Sequence, residues 1–588
     1  MKEKKPKFHL WPYLRPYKVS FIFALITLVT ENALEISLPY LMNLMLNNGM
    51  VRNDDLSYSY NSGYLWTLGG IMMGMAVVAF FLGLTSSKLT AICGRGLGYE
   101  LRKEEYRKIQ DFSFENLDSF RLNSLITRMT GDVQIISDTF CQIMRPLMRA
   151  PFQLIFALTF AFLISNDLAV VFAIAVPILA VCLITILLMT RPKFYKLQGA
   201  LDRINRTTDE SLTAMRLIRA NAKKDYEEEK FEAVNTETKK VGQSALAIIA
   251  SNQSIMQAVT YSCIIAILWL GSSSAITYND ADRLNDVASF LSYVVQTLTS
   301  LMMLSNVFMM LTRASASLER VGEVFVAQNT IEDKKDSTLK VEEGSIQFDH
   351  VNFKYNRNAS EYVLKDINFA IKPGEFIGIL GETGSSKSTL VYLIDRFYDV
   401  TEGKLRISGH DIKDYSLKEL RSKIAINFQS PRLFTGTVRE NLLWGKPDAT
   451  QEEIERACKI ACCYDFIMNS LSDGFDTPIS QGGNNVSGGQ RQRLCLARAI
   501  LRNPKILILD DSFSALDRIT EATLKNNLKT MLPGMTKIVI SQKVTSIDEA
   551  DRIIVLNDGK VSNIGNSDYL KEHDPIYQDI YRIQMEGL

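Results

Sequence analysis

Six apolar stretches, each long enough to cross a bilayer, crowd the first half of this 588-residue chain, and none follows in the second half. A spanning helix needs roughly 20 mostly apolar residues. The stretches lie at about 19–46, 64–93, 141–165, 168–190, 245–276 and 285–312. A tight turn at Asn166 and Asp167 joins the third to the fourth. Long, charged, helix-prone connections separate the second from the third and the fourth from the fifth. A helix of about 25 residues each way, at about 1.5 Å per residue, carries such a connection ~37 Å beyond the membrane.

Lys and Arg placement orients the spans. The N-terminus carries Lys2, Lys4, Lys5, Lys7, Arg15 and Lys18. The long connections are basic as well (Arg95, Arg102, Lys103; Arg191, Lys193, Lys196), and the short ones hold chiefly Arg52 and Arg283. The N-terminus, the long connections and the C-terminal half are therefore expected in the cytoplasm. The aromatic, proline-broken run from His9 to Tyr17 reads as a short helix lying on the inner leaflet. The first apolar run has no small-residue cleavage site, so no cleavable signal peptide is expected. A net charge of +1 argues against a nucleic-acid partner held by bulk charge. The eight cysteines are scattered without metal spacing and read as free thiols.

The second half carries its chemistry in Gly381, Glu382, Thr383, Gly384, Ser385, Ser386, Lys387, Ser388 and Thr389. This run sits between an apolar strand (376–380) and an apolar helix start (390–394), the context of a phosphate-binding P-loop. Consecutive backbone N–H groups and a helix N-terminus converge there on one anion. Lys387 is placed to reach the outer phosphates and the Ser388 hydroxyl to hold Mg²⁺. The run 506–511 reads as a buried parallel strand ending in two carboxylates, of which Asp510 is expected to contact Mg²⁺, directly or through water. Ser487, Gly488, Gly489 and Gln490 open a further helix and form a second anion site. One domain holds one triphosphate, so this second turn is expected to serve a nucleotide bound to another domain.

With these motifs in this order, the whole chain resembles an ATP-binding-cassette exporter half-transporter. The resemblance implies an all-α transmembrane domain with long intracellular extensions over 1–325, a linker over 326–344, and an α/β P-loop nucleotide-binding domain over 345–588. It implies ATP and Mg²⁺ as ligands, a multi-pass place in a bacterial cell membrane, and a partner half whose nucleotide domain stacks head to tail on this one. Tyr355 matches the aromatic that stacks on adenine. Gln429 matches the glutamine linking Mg²⁺ to the membrane domain, and Ser514 to Asp517 the loop that communicates across the dimer. The segments 123–131 and 212–221 match the coupling helices.

Four positions depart from the family pattern. Asp511 stands where the family has the glutamate that polarises water, and Gln542 where it has a histidine on the γ-phosphate. Gln481 replaces a glutamate upstream of the signature turn, and Ser386 adds a Cβ where glycine lets phosphate approach. Glutamine hydrogen-bonds but carries no charge to a transition state. Damaged catalytic positions beside a sound Ser487–Gln490 turn resemble the degenerate half of bacterial heterodimeric multidrug exporters. On that reading the partner supplies the glutamate and histidine, and this chain's own site is slow. A homodimeric lipid or peptide exporter and a non-transporting ATP-binding regulatory subunit are the alternatives.

For cargo, Glu31 and Glu35 lie one turn apart in the first span and share a face. They are candidates for attracting cationic amphiphiles or for pairing across the dimer. Arg145 and Arg149 repeat the spacing at the start of the third span, where snorkelling is the alternative. The methionines of the last span, Met302, Met303, Met309 and Met310, suit promiscuous apolar binding and equally suit ordinary packing.

Overall fold

The computed structural model describes the chain except residues 1–7, 53–57, 165, 279–281, 357–358, 383 and 587–588. Two compact units emerge. The first comprises Met1–Gln110 and Arg121–Ala327, the second Asp111–Phe120 and Gln328–Leu588.

The first unit is helical. Its long elements are α1 (Lys18–Gly49), α2 (Ser62–Gln110), α4 (Val133–Ile164), α5 (Asn166–Thr213), α6 (Lys224–Tyr278) and α7 (Asp282–Val326); α3 (Phe114–Phe120) belongs to the second unit. Each apolar stretch of the sequence coincides with one of these long helices, the third as far as Ile164. With 49 and 55 residues, α2 and α6 run to about 74 and 82 Å, far more than a ~30 Å hydrocarbon core requires. Among the described residues four helical stretches are long and apolar enough to cross a membrane: Trp11–Gly49, Ser62–Gln110, Leu122–Ile164 and Asn285–Phe308. The apolar stretches at 168–190 and 245–276 run through side chains outside the described residues, so six spans remain an expectation.

Apolar contacts alone do not hold helices together in lipid, because lipid tails are equally apolar. The first unit adds polar ties. Tyr293 Oη donates to the Ile36 carbonyl at 3.0 Å, and Ser300 Oγ donates to the Ala150 carbonyl at 3.1 Å. At the far end of α4, buried Asp132 accepts from Ser317 Oγ at 2.9 Å and Arg320 Nε at 2.7 Å, pinning α7.

The second unit is built on two sheets. The larger runs in the order β10 (Lys560–Gly565), β9 (Arg552–Asn557), β3 (Phe376–Leu380), β8 (Thr536–Ile540), β7 (Ile506–Asp510), β6 (Ile424–Asn427). All neighbours are parallel except β9 and β10. Every residue of β7 and β8 is buried, Thr536 and Lys537 included, as in strands covered on both faces. The two-residue pleat then sorts the side chains. Leu507, Leu509, Val539 and Val555 enter one core, and Ile506, Ile508, Ile538, Ile540 and Ile554 the other. The smaller sheet is antiparallel, in the order β2 (Leu364–Ile371), β1 (Ile346–Phe353), β4 (Glu402–Ile407), β5 (His410–Asp411).

Both expected coupling segments, 123–131 (Leu122–Thr127 and the π-helical turn Arg128–Asp132) and 212–221, belong to the first unit. Residues 111–120, ahead of the first of them, join the second unit. In α3, Phe114 stacks on Phe397 with centroids 4.3 Å apart, and Asp118 Oδ2 accepts from Tyr398 Oη at 2.7 Å. Asn116 Nδ2 also donates to the Gln328 carbonyl at 3.0 Å. Two aromatics and a short side-chain bond are long-range partners that a local helix pattern does not announce.

Candidate functional site

In parallel sheets chemistry gathers at the carboxyl ends of the strands. Four adjacent strands of the larger sheet deliver their following loops to one cavity of about 310 Å³. After β3 come Gly384, Ser386, Lys387, Ser388 and Thr389, and β6 leads to Gln429. The end of β7 gives Asp510 and Asp511, and the end of β8 gives Ser541 and Gln542. Thr383 lies outside the described residues.

The loop's backbone is shaped for an anion. Gly384 has φ +89°, and a Cβ on Gly381 would collide with the Leu556 carbonyl oxygen. Ser386 occupies the left-handed region at φ 71° just before α8 (Lys387–Ile394), where glycine would sit without strain. Lys387 Nζ bends back to the carbonyls of Gly381 and Glu382, both at 2.7 Å, and to Ser385 Oγ at 3.3 Å. Burial pulls its pKa below the usual lysine range, opposed by Asp510, Asp511 and Glu382. A phosphate oxygen arriving here would give the ammonium a charged acceptor in place of neutral carbonyls.

Ser388 Oγ donates to Asp510 Oδ1 at 3.2 Å. Asp510 Oδ2 is buried with no hydrogen-bond partner among the described residues. Burial pushes this carboxyl up; the Ser388 bond opposes that, Asp511 adds to it, and Lys387 opposes it. A hydroxyl oxygen beside an unspent carboxylate oxygen suits Mg²⁺, which takes one or two protein oxygens and completes its shell with water and phosphate. Among the described residues there is no group of three or more His, Cys, Asp or Glu side chains able to cage a metal. A phosphate-bound Mg²⁺ needs none.

Gln429 Nε2 donates to Asp511 Oδ2 at 3.4 Å. Sequence reasoning missed what holds Asp511. Its N–H donates to the Ile540 carbonyl at 3.1 Å, and its carbonyl accepts from Gln492 Nε2 at 3.1 Å and Ser514 Oγ at 2.9 Å. Gln492 lies two residues past the Ser487–Gln490 turn, so its neighbourhood was marked but its partner was not. Gln542 lines the cavity, and its own carbonyl is held by Gln584 Nε2 at 2.7 Å.

Tyr355 stands at the end of the smaller sheet. Its hydroxyl shares a hydrogen bond with Thr389 Oγ1 at 2.8 Å, and its ring meets Phe353 and Tyr398 edge-on. The residue remains 39% exposed, which leaves room for a planar base to approach it. Tyr398, unmarked in the sequence, links this ring to Asp118 of α3.

The second turn is not part of this cavity. Ser487 caps α9 (Gly488–Leu501) in a reciprocal box: its Oγ accepts from Gln490 N–H at 3.2 Å while Gln490 Oε1 accepts from Ser487 N–H at 2.9 Å. A Cβ on Gly489 would lie 2.8 Å from the Ala515 carbonyl oxygen. Neither Ser487 nor Gln490 lines the cavity.

In the first unit, Glu31 pairs with Arg145 and Glu35 with Arg149. The two acidic residues and the two arginines, read separately in the sequence, form one ladder between α1 and α4.

Two family models match this chain: ABC transporter transmembrane region over 21–302 and ABC transporter over 364–514. An uncharacterized ABC transporter ATP-binding protein of Bacillus subtilis, YfiB, is 33% identical over 97% of both chains. An ATP-dependent lipid A-core flippase of Haemophilus influenzae is 28% identical, covering 98% of this chain and 97% of its own. The fold is similar to that of a bacterial Atm1-family ABC exporter solved with ATP bound, at a TM-score of 0.82 and 20% identity, over 97% of this chain and 99% of that one.

Proposed function

Since this chain belongs to the ABC transporters, joining an exporter-type transmembrane region to an ATP-binding domain, we propose that it is one half of a heterodimeric exporter that moves amphipathic or hydrophobic compounds, drugs among them, out across a bacterial cell membrane. Its N-terminus and nucleotide domain face the cytoplasm. The observation that carries the reading is the cavity where Lys387, Ser388, Asp510 and Gln429 meet Asp511 and Gln542 while the Ser487–Gln490 turn stands apart.

In this reading Gly381, Thr383, Gly384, Ser385 and Thr389 shape the phosphate loop, and Lys387 leaves its carbonyls for the outer phosphates. Ser388, Asp510 and Gln429 would hold Mg²⁺. The ion would neutralise charge on the phosphates. Tyr355 stacks on adenine. Asp511 is one methylene short of a well-placed base, and neutral Gln542 lends no charge, so this site turns over slowly. Ser487, Gly488, Gly489 and Gln490 complete the partner's site. ATP favours the closed pair of nucleotide domains, and this differential affinity drives the spans.

Phosphate release by the purified chain, compared with the complex it forms in native membranes, tests the proposal. Rapid turnover by the chain alone, with two copies of it in the assembly, would refute it. A homodimeric lipid exporter is the competing reading, favoured by the full-length likeness to lipid A-core flippases.

A further inference from the structure

The ion-pair ladder borders a cavity of about 470 Å³ between α1, α2 and α4. Glu31, Glu35 and Arg145 face it, and Leu38, Phe80 and Leu84 give it an apolar wall. That volume suits a drug-sized ligand. Glu31 lies about 20 Å along α1 from Lys18, inside the hydrocarbon depth, where charges mark transport paths.

The four charged side chains are not equivalent. Glu31 is spent: its side chain is 5% exposed, one oxygen takes Arg145 and the other accepts from Ser86 Oγ at 3.4 Å. It is also wedged against α2. A Cβ on Gly83 would lie 2.8 Å from Glu31 Oε1 and 3.4 Å from Arg145 Nη2, so the bare glycine admits the pair. Glu31 therefore anchors Arg145 rather than meeting cargo. Arg145 stays 42% exposed, with one Nη committed to Glu31 and no other partner among the described residues. Glu35 stays 34% exposed, with Oε2 committed to Arg149 and Oε1 without a partner among the described residues. The cavity thus offers one cationic donor on α4 and one anionic acceptor on α1. The four-residue ladder as a whole, Arg149 included, balances in charge, which weakens the basis for drawing in a purely cationic molecule.

We propose that this cavity binds zwitterionic amphiphiles, with the anionic group on Arg145, an ammonium on Glu35 and the apolar arm along Leu38, Phe80 and Leu84. The proposal rests on the export reading and names its cargo class. Three probes with one dodecyl chain test it on the full-length protein in uncharged maltoside micelles: dodecylammonium, dodecyl phosphate and dodecyl phosphoethanolamine. Affinity is read from the rise in unfolding temperature with probe concentration. The zwitterion is expected to bind at least about tenfold tighter than either singly charged chain, equivalent to ~1.4 kcal/mol. Free phosphoethanolamine, lacking the arm, is expected to bind at least about tenfold more weakly than its dodecyl ester. Glu35→Gln should erase the advantage over dodecyl phosphate. Arg145→Lys, which keeps a counter-charge for Glu31, should weaken both phosphate-bearing chains and spare dodecylammonium. Dodecylammonium matching the zwitterion, free phosphoethanolamine matching its ester, or an unchanged order in Glu35→Gln overturns the proposal. ATP-driven uptake into proteoliposomes separates it from the export reading. Headgroup selectivity without uptake keeps the site and removes export; uptake of all three chains alike keeps export and removes the site.

Discussion

Replacing Asp511 with glutamate isolates the effect of a single methylene. The Asp511 backbone is tied at both polar atoms, to Ile540, Gln492 and Ser514, over 2.9–3.1 Å. Its Cα cannot advance to compensate for a short side chain. The carboxylate therefore falls short of a glutamate's reach by up to about 1.5 Å, one C–C bond. A misplacement of about 1 Å costs about 100-fold in rate, or ~2.7 kcal/mol of barrier. Asp511→Glu should raise ATP turnover at this site on the order of 100-fold. The left-handed backbone here (φ 47°) suits aspartate better than glutamate, so the variant should also lose stability, about 0.5–1 kcal/mol. Initial rates of phosphate release, on the purified chain and on the complex it co-purifies with, measure the first effect. Thermal unfolding measures the second. A turnover unchanged in both preparations, with MgATP affinity intact, refutes the argument from reach.

Ser386→Gly relieves a non-glycine residue at φ 71°. Stability should rise by about 0.5–1 kcal/mol once glycine's greater unfolded entropy is subtracted, visible as a higher melting temperature without nucleotide. Asp395, just past α8, is buried with Oδ1 unpaired among the described residues. Burial pushes its carboxyl up to about 7 against the pull of Arg421 and Arg502. The folded protein thus keeps a proton that the unfolded chain, with a pKa of about 3.9, releases, and stability falls as pH climbs from about 4 to 7. Asp395→Asn should match the parent near pH 4 and exceed it near pH 8 by up to about 4 kcal/mol, and parallel melting curves against pH would contradict this. Gly489→Ala drives a Cβ toward the Ala515 carbonyl at 2.8 Å. Turnover by the assembled transporter should drop at least about tenfold, ~1.4 kcal/mol, while MgATP affinity at this chain's own cavity holds.

Local order made much of this protein readable in one dimension. Long apolar runs have few solutions in lipid, and each of the six coincides with one long helix among the described residues. Glycines before Lys387 and an apolar run ending at Asp510 describe a strand–loop–helix and a buried strand by themselves, because hydrogen bonding and chain stiffness act over a few residues. Tertiary structure decided the rest. Glu31 and Arg145 stand 114 positions apart, and only the approach of α1, α2 and α4 at Gly83 shows that one neutralises the other. Asp118 reaches Tyr398 across 280 positions, which ties 111–120 to the second unit. The restraint on Asp511 came from β8 and α9. A side chain's charge and length are written in the sequence, but its electrostatic partners and its freedom to move depend on which distant backbones the fold brings within about 3 Å.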